Sequence, residues 1–282
     1  MKIGVSGASG HLGEAVLKRL KELPGSHTVA GISRLPHAVK YADEVRFGDY
    51  DAPVRLHEAY ADLDRLLIIP TFDLRHGARA RQLVHAIDAA LLSGAGHITL
   101  ISDVGTDERK EPHVGAASWV AEQHLIRSAP SWTILRANYF MESYAQEVLR
   151  WGAVGRLVEL GENRVGFVSR WDVAAAAAGI LVGAGHSGAF YNATGPEALT
   201  VADRAALASK ILDKPVEIVL ASPTELRQQL KVTGLSEVYL GVVMDIKHKT
   251  FEAGYDIMTG DVERLSGCRP KSLSDILLNS IA

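Results

Sequence analysis

The stretch that most constrains this chain is Gly7-Ala8-Ser9-Gly10-His11-Leu12-Gly13. It follows Lys2-Ile3-Gly4-Val5-Ser6, a short apolar run that reads as a strand. It opens a segment in which Leu12, Val16, Leu20 and Leu23 recur at helical spacings of three and four. Strand, glycine turn and helix in that order is the context a dinucleotide-binding fingerprint requires. Each glycine has its own expected task. Gly7 makes the tight turn, Gly10 leaves the backbone bare where a pyrophosphate approaches, and Gly13 lets the helix close on the strand. Free N–H groups and the dipole at the helix start then favour the anion. Gly7, Ser9, Gly10, His11, Leu12 and Gly13 are therefore the first candidate cofactor contacts. The spacing is G-x-x-G-x-x-G rather than G-x-G-x-x-G, so the reading leans on the flanking strand and helix.

The chain beyond the turn alternates strands with helices. Strands are expected at Thr28 to Ser33, Glu44 to Gly48, Arg65 to Ile69, His97 to Ser102 and Trp132 to Leu135. Helices are expected at Pro53 to Leu63, Leu74 to Ser93 and Ser118 to Arg127, with a short one at Pro36 to Ala42. The strands are apolar runs without strict alternation, as when both faces of a parallel sheet are covered. The fold class is α/β: a Rossmann-type doubly wound parallel sheet with a smaller, interleaved C-terminal lobe. Residues 1–150 form the nucleotide-binding domain. Residues 170–195, with an alanine-rich helix from Asp172 to Val182 and a strand from Ala189 to Ala193, return to it. Residues 196–282 form the smaller substrate lobe, with 151–169 contributing.

The second strand ends in Ser33-Arg34, where an NAD-binding chain carries an acid ~20 residues past the fingerprint. A carboxylate there would repel a 2′-phosphate, whereas a guanidinium grips it with two hydrogen bonds. Arg34 thus points to NADP(H). Asp49-Tyr50, ending the third strand, could border the adenine, although Asp49 suits a turn equally well. Pro70-Thr71 ends the fourth strand, where the backbone passes along a cofactor. Ser102 ends the fifth, on the expected nicotinamide side.

Composition closes other routes. Of 282 residues, 47% are hydrophobic and 22% charged, and the net charge is −3. A chain without basic excess is not expected to hold nucleic acid directly. A single cysteine, Cys268, allows no internal disulfide and fits a reducing compartment. With a strand at the very start, no room for a signal peptide, and no apolar run near ~18 residues, a cytoplasmic protein without a membrane span is expected. The eleven histidines show no metal-ligand spacing, and no metal is expected. Association into an oligomer stays open.

Several stretches together resemble the atypical short-chain dehydrogenase/reductase group in its NmrA-like branch, with greatest similarity to bacterial NADPH:quinone oxidoreductases and triphenylmethane-dye reductases. They are the glycine turn, Gly48-Asp49-Tyr50, the run from Leu135 to Glu142, the segment from Trp171 to Pro196 and the stretch from Thr259 to Gly267. The resemblance implies NADP(H) at Gly7 to Gly13 and Arg34, and a small-molecule substrate in a cleft roofed by the C-terminal lobe. The wider superfamily places Tyr-x-x-x-Lys on the helix after the fifth strand. Here that helix reads Ala117-Ser118-Trp119-Val120-Ala121-Glu122-Gln123-His124, with Trp119 and Gln123 near those positions.

Catalytic residues are thus unassigned by sequence. One consistent account is an NADP(H)-dependent reductase of quinone-like or conjugated molecules, which accept hydride at an electron-poor carbon and need chiefly alignment. The alternative is a non-catalytic NADP(H)-sensing regulator of the NmrA type. The expected substrate pocket is drawn from His113, beside a polar loop, and from Asn138, Tyr139 and Phe140 after the sixth strand.

Overall fold

Seven parallel strands form the central sheet of the computed structural model, which describes residues 1–110, 113–152, 154–231 and 234–281. The first six are β1 (Lys2–Ser6), β2 (Thr28–Ser33), β3 (Glu44–Phe47), β4 (Arg65–Ile68), β5 (His97–Asp103) and β6 (Trp132–Ala137). After β7 (Arg156–Glu159) and β8 (Arg164–Val165), which lie outside this sheet, β9 (Ala189–Ala193) completes it beside β6. The order across the sheet is β3-β2-β1-β4-β5-β6-β9, which reverses direction between β1 and β4. Ser6 sits level with Ile32 of β2 and Ile68 of β4, so the glycine turn leaves the sheet at that reversal. Ligand crevices of doubly wound sheets open there, outside the carboxyl ends of the strands.

The connecting helices are α1 (His11–Glu22), α2 (Pro53–Ala59), α3 (Ala78–Leu92), α4 (Val114–Ser128), α5 (Met141–Gly152) and α6 (Arg170–Val182). One face of the sheet packs on α1 and α6, where Val16, Leu17 and Leu20 meet Ile3, Val5 and Val173. The other packs on α2, α3 and α4 through Leu56, Leu83, Ile87 and Leu125. The alanines of α6 are buried and hold it between the sheet and its neighbours.

The remaining helices are α7 (Val201–Leu212), α8 (Pro223–Lys231), α9 (Glu237–Phe251), α10 (Asp261–Ser266) and α11 (Leu273–Ile281). β11 (Glu217–Leu220) pairs with β7, and β10 (Leu199–Thr200) pairs with β8, so chain from both sides of β9 builds the second lobe. α7 starts at a capping box in which Asp203 N–H donates to Thr200 Oγ1 (3.1 Å) and Thr200 N–H to Asp203 Oδ2 (2.9 Å). α10 returns to α6, and its Val262 joins the sheet's core.

Several boundaries differ from the sequence expectation, among them Pro53 to Leu63, which ends at Ala59, and Pro36 to Ala42, which is a single 3-10 turn at Pro36–Ala38. The helix expected from Leu74 begins at Ala78, because Asp73 accepts the Arg75 N–H (3.1 Å) and holds 70–77 as a loop until Gly77. The fourth helix starts at Val114 rather than Ser118. The fifth starts only at Met141, because Met141 N–H donates to Val168 O and Val168 N–H to Tyr139 O, tying 139–141 to the chain after β8. Among the described residues no helix is long and apolar enough to cross a membrane.

Candidate cofactor and acceptor site

The glycine turn is built by its own hydrogen bonds. Gly7, at φ +92°, and Ala8 both donate N–H to Ile32 O, at 3.0 and 3.1 Å. A Cβ on Gly13 would lie 2.3 Å from Gly7 O and 2.8 Å from Ala8 Cα. Gly13 therefore lets the helix close on the turn itself, not on the strand as its spacing suggests. Gly10 is different: a Cβ there would meet only Gly7 O, at 3.4 Å. The protein leaves that position open. No side chain caps the first turn of α1, so its leading N–H groups have no side-chain acceptor. An open, uncapped helix start fits a pyrophosphate.

A cavity of about 720 Å³ runs from this turn along the strand ends and into the second lobe. Gly7, Ser9, Gly10, His11, Leu12 and Gly13 line it, with Arg34, Asp49 and Tyr50 at one side and Pro70, Thr71 and Ser102 further along. Asn138, Tyr139 and Phe140 line it beyond β6. His113 does not join them. Its Nδ1 pairs with Asp245 Oδ1 of α9 at 2.6 Å, which fastens α4 to the second lobe.

Several of these side chains have a structural duty as well. Ser9 Oγ and Ser33 Oγ are 2.7 Å apart, and Ser33 Oγ accepts the Leu35 N–H, which fixes the turn where Arg34 projects. Arg34 is exposed and no ion pair engages it among the described residues, while Lys40 nearby pairs with Glu14. Asp49 Oδ1 accepts the Asp51 N–H (3.0 Å), a turn role beside its place on the cavity wall. Tyr50 donates to Ile69 O (3.0 Å), and burial pushes its phenol up to about 12. Ser102 donates to the buried Glu122 (2.5 Å), which Arg136 also holds through Nε (2.9 Å) and Nη2 (2.5 Å).

The far end of the cavity is apolar on one side and charged on the other. Leu226 and Leu230 of α8, Leu235, and Tyr239, Val243 and Ile246 of α9 form the apolar side. Phe72 of the loop after β4 meets Tyr239 edge-on, with centroids 6.1 Å apart. Opposite, Ser143, Gln146, Glu147 and Arg150 project from one face of α5 at helical spacing. Behind them lies a buried cluster. Lys247 bonds Glu147 and Glu159 (3.0 Å to the latter), and Arg204 bonds Glu159 (3.1 Å). Tyr139 Oη stands 3.5 Å from Glu147 Oε2. Burial, then the Glu147 and Glu159 charges, push its phenol far above the ordinary range. Its proton is directed at that carboxylate.

The sequence model of a family of NAD(P)H-binding proteins matches residues 7–182, more than half of the chain, from the glycine turn to the end of α6. The chain belongs to this NAD(P)H-binding family. Its relatives include quinone oxidoreductase 2 of Escherichia coli, 28% identical over 254 residues and 86% of each chain. They also include an NAD(P)H azoreductase of Xenophilus azovorans, 27% identical over 83% of this chain and 82% of that one. The E. coli NADPH-dependent quinone oxidoreductase in complex with NADPH superposes with a TM-score of 0.90 at 25% identity, covering 99% of this chain and all of that one. Triphenylmethane reductase of Citrobacter sp. with NADP(H) gives 0.88 at 24%, with the same coverage. The resemblance drawn from the glycine turn and the later stretches agrees with these relatives, and so does the doubly wound sheet.

Sequence reasoning missed Glu147, Lys247 and Tyr255 and the apolar wall of α8 and α9. Tyr239, Val243 and Ile246 do recur at helical spacing, which signals a buried face. The spacing carries no sign that the face borders a cavity. Among the described residues no group of three or more His, Cys, Asp or Glu is placed to hold a metal ion.

Proposed function

We propose that this chain is an NADP(H)-dependent reductase that passes hydride directly to quinone-like or other conjugated small molecules. The observation that carries the reading is the continuity of the cavity. The glycine turn, the ends of β5 and β6 and the apolar wall of α8 and α9 line one space of about 720 Å³. A drug-sized acceptor can therefore lie against a bound nicotinamide without crossing protein. The bound dinucleotide supplies the hydride. The chain's part is to bind it through Gly7 to Gly13 and Arg34, and to exclude water with Leu226, Leu230 and Ile246. It must also hold a flat acceptor in line. A cofactor sensor of the NmrA kind has no use for an apolar chamber opening from the nicotinamide end, and the quinone, azo and dye reductases among the relatives favour the enzyme. α4 carries neither tyrosine nor lysine, so any proton comes from elsewhere. Cys268, alone, fits a reducing compartment, and we place the protein in the cytoplasm.

The test is NADPH oxidation across a panel of quinones, cationic dyes, azo dyes and simple ketones. Turnover with the conjugated acceptors and none with the ketones is expected. Tight NADPH binding with no oxidation by any acceptor would instead leave a sensor.

A further inference from the structure

Acceptors of this class differ in one chemical demand. Hydride addition to a quinone leaves charge on an oxygen, which must gain a proton. Addition to a triarylmethyl cation gives a neutral product and needs none. Two groups at the end of β5 are arranged to meet the first demand. Asp103, the last residue of β5, and Tyr255, between α9 and α10, both line the cavity next to Asn138. The Tyr255 hydroxyl and the Asp103 carboxyl are neighbours. The two oxygens converge above Gly105, where a Cβ would stand 2.7 Å from Asp103 Oδ1 and 3.1 Å from Tyr255 Oη. Asp103 Oδ1 also accepts the Gly105 N–H at 2.6 Å. Tyr255 is 3% exposed, and its carbonyl accepts from Gly166 N–H (3.1 Å) and Asn138 Nδ2 (3.2 Å), so the ring is fixed beside the strand ends. The nicotinamide half of a dinucleotide lies over this half of a doubly wound sheet, across the switch point from Arg34.

We propose that Tyr255 donates its phenolic proton to the oxygen of the reduced acceptor and is reprotonated in the same event by Asp103. The Tyr255 O–H bond breaks as the acceptor O–H bond forms. The Asp103 O–H bond breaks as that of Tyr255 re-forms, and Asp103 later takes a proton from water. Both electrons arrive with the hydride, so no further oxidant or reductant enters. Tyr255 is then the catalytic residue and Asp103 a positioning and relay residue. The inference rests on the reductase reading above.

The surroundings suit this division. Burial lifts the Asp103 carboxyl above the ordinary range and Glu122 of α4 adds to the lift, while Arg79 of α3, the Gly105 N–H and Lys249 of α9 oppose it. Burial, with the charges of Asp103 and Asp245, holds the Tyr255 phenol far up, against Arg79. Arg136 of β6 also faces Asp103. A free phenolate is thus disfavoured, and Tyr255 can give its proton only when Asp103 carries one to replace it. Quinone reduction should therefore fall as pH rises through the raised Asp103 pKa.

The test compares wild type, Tyr255→Phe and Asp103→Asn with a water-soluble benzoquinone and a cationic triphenylmethane dye. Both variants should lose roughly 10²-fold in quinone kcat, at least ten-fold more than in dye kcat, and Asp103→Asn should lose the alkaline limb of the quinone profile. Without cofactor, infrared spectra should show an aspartic-acid C=O band that persists above the pH where ordinary carboxyls ionise and vanishes in Asp103→Asn. Parallel losses with both acceptors, a persistent alkaline limb or no such band overturns the proposal. If wild type reduces neither acceptor, the reductase reading itself fails.

Discussion

Gly10 and Gly13 both sit at the start of α1, yet alanine at the two positions should have opposite consequences. A Cβ at Gly13 would come within 2.3 Å of Gly7 O and 2.8 Å of Ala8 Cα, both backbone atoms of a turn fixed by bonds to Ile32 O. Neither can swing aside, so the helix must tilt away from the turn. Overpacking of this kind costs about 1–3 kcal/mol. The better helix propensity of alanine returns about 1 kcal/mol. Backbone collision is at the severe end of the range, so a net loss of about 2 kcal/mol is expected. At roughly 2–4 °C per kcal/mol for a chain of this size, Tm should fall by roughly 4–8 °C. At Gly10 the nearest atom would be 3.4 Å away and φ is −80°, so alanine fits. Stability should change by less than about 1 kcal/mol. The new methyl would occupy the space left for the pyrophosphate, and NADPH should bind at least ~10-fold more weakly, about 1.4 kcal/mol. Calorimetric unfolding and titration of both variants check this. An unchanged Tm in Gly13→Ala, or wild-type NADPH affinity in Gly10→Ala, would refute the assignment of the two roles.

NADPH should bind at least ~10-fold tighter than NADH, and Arg34→Ala should erase most of that preference while leaving NADH affinity within about two-fold in parallel titrations. Tyr139→Phe should change turnover only a few-fold in steady-state assays, because its hydroxyl is directed at Glu147; a loss of several hundred-fold would make it the acid. Lys247→Met should destabilise the fold by about 3–5 kcal/mol in denaturant titration, since it strips Glu147 of its cation and leaves Glu159 with Arg204 alone in a buried cluster.

The sheet was legible because most of its strands are short apolar runs, several of them closed by Gly, Pro or Asp. The glycine turn was legible because its chemistry is local: all of its contacts fall within a few residues or on the adjacent strand. Arg34 could be placed by counting from the turn to the end of the second strand. The acceptor end was not legible for the opposite reason. Asp103 meets Tyr255, Glu147 meets Lys247, and Glu159 meets Arg204 only after the second lobe has folded over the sheet. No periodicity encodes such encounters. His113 misled because a histidine after a polar loop looks available, whereas Asp245 of α9 holds it. Residues 74–77 were read as helix because their apolar and polar residues suit one, and the Asp73 carboxylate that delays it acts through a single main-chain N–H.

Direct hydride transfer inside one cavity is most plainly tested by following the atom. NADPH deuterated at C4 on the transferred face, reacted in single turnover with a cationic triphenylmethane dye, should deliver one deuterium to the central carbon of the colourless product, where it does not exchange with water. A product that carries hydrogen from solvent at that carbon, or no product at all, would contradict the account.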